Sequence, residues 1–447
     1  MDLEKLAQKN NELETKLAKK YQDFSSKLLL QKISWKQIQQ SLKPDELAIE
    51  VIRTINNTSK GVNYGIVLIP GGKRARPKFI LLKNGSQLDN RYLKYYRQTN
   101  KFKRKDKYSY VQYWHPIQEV IAQLMPKLPS TIYFSTDGCY NQINLKTLQN
   151  PKNKQYLIDL YKIHLVSSTK EILALKKDPQ TMLDANSLAV LIGRPLYKVP
   201  KQATNANAQT SNKRGDNSFG TDRDQQRLGN ANFSDLPGTE EEVEQINKLL
   251  LNDKWQTTKL IGKKAREQRI KQIFNPDILH IATHGFFIPN VTPKQFGFVS
   301  YNFSLEYHAP MLRSGLILTG VSNPQDMFVD KGEKIEDGIL TAYEATNLRL
   351  EETKLVVLSA CETGLGDFRI GEGVYGLQRA FKIAGAQNII MSLWKVDDQA
   401  TQELMVNFYK NLLQFNNLRE AFRKAQQQLK KKFPHPHFWG AFVLLGR

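Results

Sequence analysis

Cysteine is nearly absent from this chain, with Cys139 and Cys361 the two among 447 residues. Two thiols are too few for a disulfide framework or a cysteine-rich zinc site, and no other metal-ligand spacing is evident, so no cofactor is expected. Long apolar runs are missing too. No stretch approaches the roughly 18 consecutive apolar residues of a membrane helix. The opening MDLEKLAQKNNELETKLAKK holds no apolar signal core. These absences predict a soluble protein of a reducing cytoplasm without a membrane partner. Acidic residues are in short supply, 43 against 65 Lys and Arg, for a net charge of +22. Hydrophobic residues at 40% and aromatic ones at 10% still suffice for real cores, which excludes wholesale disorder. The length allows two or three domains.

The surplus charge is concentrated. Residues 73–107 hold 13 Lys or Arg against Asp89 and Asp106, half of the net charge. They include KFKRKDK at 101–107, with Tyr92, Tyr95, Tyr96, Tyr108 and Tyr110 nearby. Such a run can track phosphates while rings stack on bases. It also suits a solvated hairpin tip or a docking surface for an acidic protein. No nucleic-acid-binding motif accompanies the charge, so nucleic acid stands as a secondary or regulatory partner.

Three units follow from the apolar patterning. Residues 1–45 place Leu6, Leu13, Leu17, Tyr21, Phe24 and Leu28 on one helical stripe, and a short helix over 35–42 ends before Pro44. Two such helices cannot bury their stripe alone, as at the end of a helical-repeat array. From 46 to 180 short strands appear: 47–55, a hairpin of 64–69 and 78–82 around Gly71 and Gly72, a helix over 117–128, and a strand over 131–135. Cys139 has no chemical frame around it there, and this half is expected to be inert. From 181 to 447, strands at 187–193, 277–285, 355–358, 388–393 and 438–445 alternate with helices over 239–251, 372–384, 401–413 and 418–432. That alternation predicts an α/β fold, a mostly parallel sheet flanked by helices. Residues 201–235 lose all periodicity and read as a mobile loop.

Two of these strands share one grammar. DILHIATHG at 277–285 ends in His284 and Gly285, and KLVVLSACETG at 354–364 ends in Cys361 and Gly364. Neighbouring strands that deliver an imidazole and a thiol at their carboxyl ends match the base–nucleophile pair of a cysteine hydrolase. Alone, each residue has a plainer use: Cys361 as a small buried hydrophobe, His284 as a satisfied strand-end histidine. His280, deeper on the strand, reads as structural.

LHIATHGFF at 279–287, LRSGLILTG at 312–320, LVVLSACETGLG at 355–366, GEGVYGLQRAFKIAGAQ at 371–387 and SLWKVDDQAT at 392–401 together resemble the CHAT domain. That family belongs with caspases and separase among cysteine proteases. The resemblance implies a caspase-like fold, preceded by a degenerate caspase-like half over 46–180, and often an upstream tetratricopeptide-repeat (TPR) array. It carries over His284 and Cys361 as the catalytic pair. They lie 77 positions apart, more than the roughly 50 of caspases, an excess for which an excursion over 289–338 accounts. Glu362 and Thr363 before Gly364 depart from the caspase pentapeptide and argue against aspartate specificity.

Peptide hydrolysis assigns the remaining roles. An imidazole must favour the thiolate and then protonate the leaving amine, and the backbone N–H groups of Gly285 and Cys361 suit the oxyanion. Trp394, Asp397 and Asp398 look like the separase segment that lines a pocket for a basic side chain. Cleavage after Arg or Lys is therefore expected, with Asp398 the main contact and Asp397 the second; the plainer use of Asp398 is a helix cap. Arg214, Arg223 and Arg227 in the loop are then candidate self-cleavage sites. The resemblance further implies a protein substrate in prokaryotic defence or cell death, gasdermin-like or CRISPR-linked. Regulation would come from a partner protein or upstream TPR region. A silent interaction module and a nucleic-acid-regulated effector using 73–107 are the alternatives.

Overall fold

The computed structural model describes residues 33–55, 61–72, 75–177, 183, 186–198, 233–287, 310–321, 336–360, 367–369, 373–395 and 397–446. The helical stripe over 1–32, the three loop arginines and Cys361 itself lie outside the described residues. The strands in chain order are β1 (Glu46–Ile55), β2 (Val62–Pro70), β3 (Lys78–Leu82), β4 (Thr131–Ser135), β5 (Lys162–Val166), β6 (Leu188–Pro195), β7 (Gln256–Gly262) and β8 (Ile278–Ala282). They continue with β9 (His284–Phe287), β10 (Ser314–Ile317), β11 (Ile339–Thr341), β12 (Leu355–Ser359), β13 (Asp367–Arg369), β14 (Gly373–Tyr375), β15 (Asn388–Ser392) and β16 (Phe442–Gly446).

Eleven strands form one sheet in the order β3-β2-β1-β4-β5-β16-β15-β12-β8-β6-β7. The pairs β3–β2, β2–β1 and β16–β15 are antiparallel; the others are parallel. This is the mostly parallel sheet that the alternation of elements predicts. The strands of both halves thus belong to one sheet, and where they meet β16 pairs β5 through Leu445 and Leu165.

The central strands β8, β12 and β15 are buried at every position because helices cover both faces. On one face Leu191, Ile278, Val357 and Ile390 pack with the helices Pro237–Asn252, Asp398–Phe415 and Leu418–Lys432. On the other, Ile192, Ile281, Leu358 and Met391 pack with the helix Leu377–Ile383. In the first half, Leu47, Ile66 and Phe134 share a core with the helices Leu93–Lys101 and His115–Leu124. The opposite face of β1 and β4 is covered by the helices Trp35–Ser41 and Glu171–Lys177, through Ile38, Leu42 and Ile172.

Three expectations need correcting. The histidine strand is two strands: β8 stops at Ala282, and after Thr283 the chain starts β9, the edge of a separate sheet ordered β11-β10-β9. The helix expected over 372–384 begins at Leu377, because residues 373–375 form β14 paired with β13. The last strand starts at Phe442, after a short helix at Pro436–Trp439 whose start Pro436 sets.

Candidate functional site

The register of the parallel strands sets the site. β8 and β12 are neighbours, with Ala282 opposite Ser359 at their carboxyl ends. His284 and Cys361 each follow two residues after these partners. The last described residue before the cysteine is Ala360, whose carbonyl accepts a hydrogen bond of 2.5 Å from Ser392 Oγ at the end of β15. Carboxyl edges of parallel strands are where α/β folds place their reactive groups.

Local chemistry turns the chain at Thr283. Its hydroxyl donates to the Ile317 carbonyl of β10 and meets the Tyr197 hydroxyl at 3.1 Å. β9 then pairs with β10, His284 opposite Ile317 and Gly285 opposite Leu316. Gly315 of β10 is required: a Cβ there would stand 2.7 Å from the Leu340 carbonyl oxygen and 2.8 Å from the Phe286 ring. The motif LRSGLILTG is thus the centre of the small sheet that carries His284.

The His284 ring is held on three sides. Tyr197 lies 5.1 Å away and Phe233 5.8 Å, centroid to centroid, and Nε2 sits 2.9 Å from the Ser234 carbonyl. A carbonyl only accepts, so Nε2 carries the hydrogen and the neutral ring keeps Nδ1 as its acceptor. Burial pushes the Tyr197 phenol up to about 12, so it stays protonated and neutral beside the ring. The orienting groups are therefore Tyr197, Phe233 and a backbone carbonyl. Sequence reading missed all three, since Phe233 and Ser234 fall in the stretch read as a loop; the lone aromatic at its end was the available signal.

Ser234 also leads into the start of the helix Pro237–Asn252. There a Cβ built on Gly238 would lie 3.8 Å from Cβ of Asp398. The starts of two helices therefore meet beside the segment that holds His284. Asp397 is the cap of its helix, accepting from the Ala400 N–H at 3.2 Å, so the capping role falls to Asp397 and not to Asp398. Asp398 is exposed in the first turn, with no hydrogen bond or ion pair among the described residues. Trp394 is half-buried where three cores meet; its indole N–H donates 3.0 Å to the His437 carbonyl, and its ring meets Tyr96 edge-on. Near the same rim, Arg194 binds Asp235 through two nitrogens and Glu240 at 2.6 Å.

Other chemistry-bearing residues stand elsewhere. His280 is fully buried, with Nε2 2.9 Å from Glu242 and Nδ1 3.1 Å from the Tyr409 hydroxyl; this structural network ties β8 to two helices. Cys139 is buried, and burial pushes its thiol well above the usual range, away from nucleophilic use. Glu267, Glu336 and Glu344 could jointly hold a metal, but the Lys271 ammonium already stands 2.6, 3.1 and 3.0 Å from them. The basic run partly packs: Lys103 lies over the Phe438 ring at 4.5 Å, and the Arg104 carbonyl takes the His435 Nε2 hydrogen at 3.1 Å. Among the described residues no helix is long and apolar enough to cross a membrane.

Several known proteins are similar to this chain. Human tetratricopeptide repeat protein 28 is 25% identical over 310 residues, 67% of this chain but 11% of that protein. Its mouse counterpart is 24% identical over 335 residues, 72% of this chain and 12% of the relative, so the chain spans about a ninth of their length. Among solved structures, the Saccharomyces cerevisiae separase–securin complex aligns over 92% of this chain and 31% of that one, at 8% identity and a TM-score of 0.45. The Arg-specific cysteine proteinase gingipain R aligns over 81% and 74%, at 10% identity and a TM-score of 0.40. The CHAT domain profile matches residues 110–447, and the chain belongs to the CHAT domain family.

Proposed function

We propose that this protein is a cysteine endopeptidase with His284 as general base and acid and Cys361 as nucleophile. The observation that carries the reading is the Ala282–Ser359 register, from which both residues follow at the same offset. With Nε2 committed to the Ser234 carbonyl, Nδ1 is the nitrogen left to take the thiol proton and pass it to the leaving amine. The N–H groups of Gly285 and Cys361 serve the oxyanion. Residues 46–180 act as the non-catalytic half, and buried Cys139 supports that division.

Exposed Asp398 beside the His284 segment supports cleavage after Arg or Lys, with Asp397 supplying a second negative charge from its cap position. The physiological substrate is then a protein of a defence or cell-death pathway, gasdermin-like or CRISPR-linked, under control of a partner or a TPR region. Kinship with the CHAT family supports that context.

An electrophilic peptide with Arg at its reactive end tests the mechanism. Covalent labelling at Cys361 that disappears in Cys361→Ala and falls sharply in His284→Ala is expected. Equal labelling of wild type and His284→Ala would remove the dyad.

A further inference from the structure

Cations gather where the two halves of the sheet meet. A shallow groove is lined by Lys162 and His164 of β5, Leu444 of β16, Lys146, and Arg419, Glu420 and Arg423 of the helix Leu418–Lys432. Leu445 pairs with Leu165, so His164 and Leu444 share one face of the sheet at this junction. Four cations thus face a single carboxylate.

That carboxylate does not balance them. Glu420 stands 3.9 Å from Lys162 Nζ and 3.8 Å from Arg423 Nη1, at the outer limit of an ion pair. Among the described residues no carboxylate reaches Lys146 or Arg419. Lys146 Nζ has the Gln426 amide oxygen at 3.2 Å, and Arg419 donates to the Gly446 carbonyl. Arg423 gives one Nη2 bond of 3.3 Å to the Ile158 carbonyl, while its buried Nε has no partner. Unpaired cations held together in a concave, part-desolvated place are costly unless an anion joins them. Their effect on one another is visible: burial, Arg419 and Arg423 push the Lys146 ammonium down to about 7. Burial, then Arg419, Lys146, Lys162 and Lys176, hold His164 well below the usual imidazole range.

We propose that this groove binds a small phosphate-bearing polyanion, gripped by Lys146, Lys162, Arg419 and Arg423 across the seam between the two halves of the sheet. A carboxylate offers one charge and two oxygens. Phosphate offers up to two charges and at least three acceptor oxygens, which suits two guanidinium forks and two ammonium groups converging from different elements. The first turn of a 15-residue helix adds its positive end. The seam location gives such a ligand a mechanical consequence, since Lys162 belongs to the first half and Arg419 and Arg423 to the helix Leu418–Lys432 of the second.

Isothermal titration of the full chain with sodium tripolyphosphate, and in a second arm with ATP, at fixed ionic strength tests this. One saturable site is expected, weakened about tenfold, or 1.4 kcal/mol, by Lys146→Gln or Arg423→Gln and tightened by Glu420→Gln. Lys162→Gln changes a half-exposed side chain and keeps the test open should a more buried variant fail to fold. A Lys101→Gln/Lys105→Gln variant in the exposed basic run is the control and should bind as wild type. Equal binding in the two arms supports a bare phosphate chain as the source, and tighter ATP binding supports a nucleotide. Absence of saturation, insensitivity to Lys146→Gln, Lys162→Gln and Arg423→Gln, or equal loss in the control variant overturns the proposal.

Discussion

Ala282 and Ser359 face each other at the carboxyl ends of β8 and β12, and each is followed two residues later by the proposed base or nucleophile. In a parallel pair, a matched register brings the carboxyl ends of both strands to the same rim of the sheet. Protein cleavage should therefore fall to background in Cys361→Ala and by about 10³-fold in His284→Ala. New N-termini generated by wild type and absent in Cys361→Ala, read by proteomics, check this; identical termini would remove the assignment.

Tyr197 should matter through the ring it holds. Tyr197→Phe loses the hydroxyl's contacts with Thr283 and with the His284 backbone but keeps the ring, and should cost about 1 kcal/mol of stability. Tyr197→Ala removes the face packed on His284 and should lower kcat about tenfold while KM stays close to wild type. Recovery of kcat in Tyr197→Phe separates positioning from simple damage. A KM effect alone would count against it.

The two aspartates should separate cleanly. Asp397→Ala loses the helix cap and should destabilise the protein by about 1 kcal/mol in urea. Asp398→Asn should leave stability nearly unchanged and raise KM for Arg and Lys peptides at least tenfold. A peptide library that shows acidic or small residues preferred at the cleavage position would end the basic-pocket reading.

Glu242 and His280 form a buried pair whose single partners cannot be removed cheaply. Glu242→Ala should cost about 3 kcal/mol, measured by denaturant unfolding, because it strands a buried imidazole. A Glu242→Leu/His280→Leu double variant should lose less than the sum of its single changes.

Lys146 predicts a pH dependence of stability. Its ammonium titrates near 7 in the fold and near 10.5 when unfolded, so between those values the unfolded chain holds the extra proton. Stability from this group therefore rises with pH across that window, and its full penalty is present below pH 7. Lys146→Met should be more stable than wild type at pH 6, and the gap should narrow steadily towards pH 10. Thermal melts across that range check it. A constant gap would contradict the depressed ammonium.

Much of the central sheet can be read from the chain because buried parallel strands are written as unbroken apolar runs. LAIEVIRTI, TIYFS, LVVL and NIIMSL each correspond to a strand within a residue or two at either end, while DILHIATHG divides between β8 and β9. β5 (KIHLV) and β7 (QTTKLIG) were missed. β5 carries the groove-facing Lys162 and His164, and β7 is an edge strand with an exposed face, so neither shows the apolar run of a buried strand. The break at Thr283 was illegible for another reason: it depends on Tyr197 and Ile317, which are distant in sequence.

By itself the amino-acid order determined the alternation of elements, the family motifs, and that an imidazole and a thiol each follow a buried strand, since these properties are local to a few residues. Only the tertiary structure decided which strands are neighbours, which nitrogen of His284 is committed, which aspartate caps its helix, and where four cationic side chains converge on a seam. Those depend on register and on contacts between residues up to hundreds of positions apart. The free energy that fixes them is shared burial, which no single segment carries.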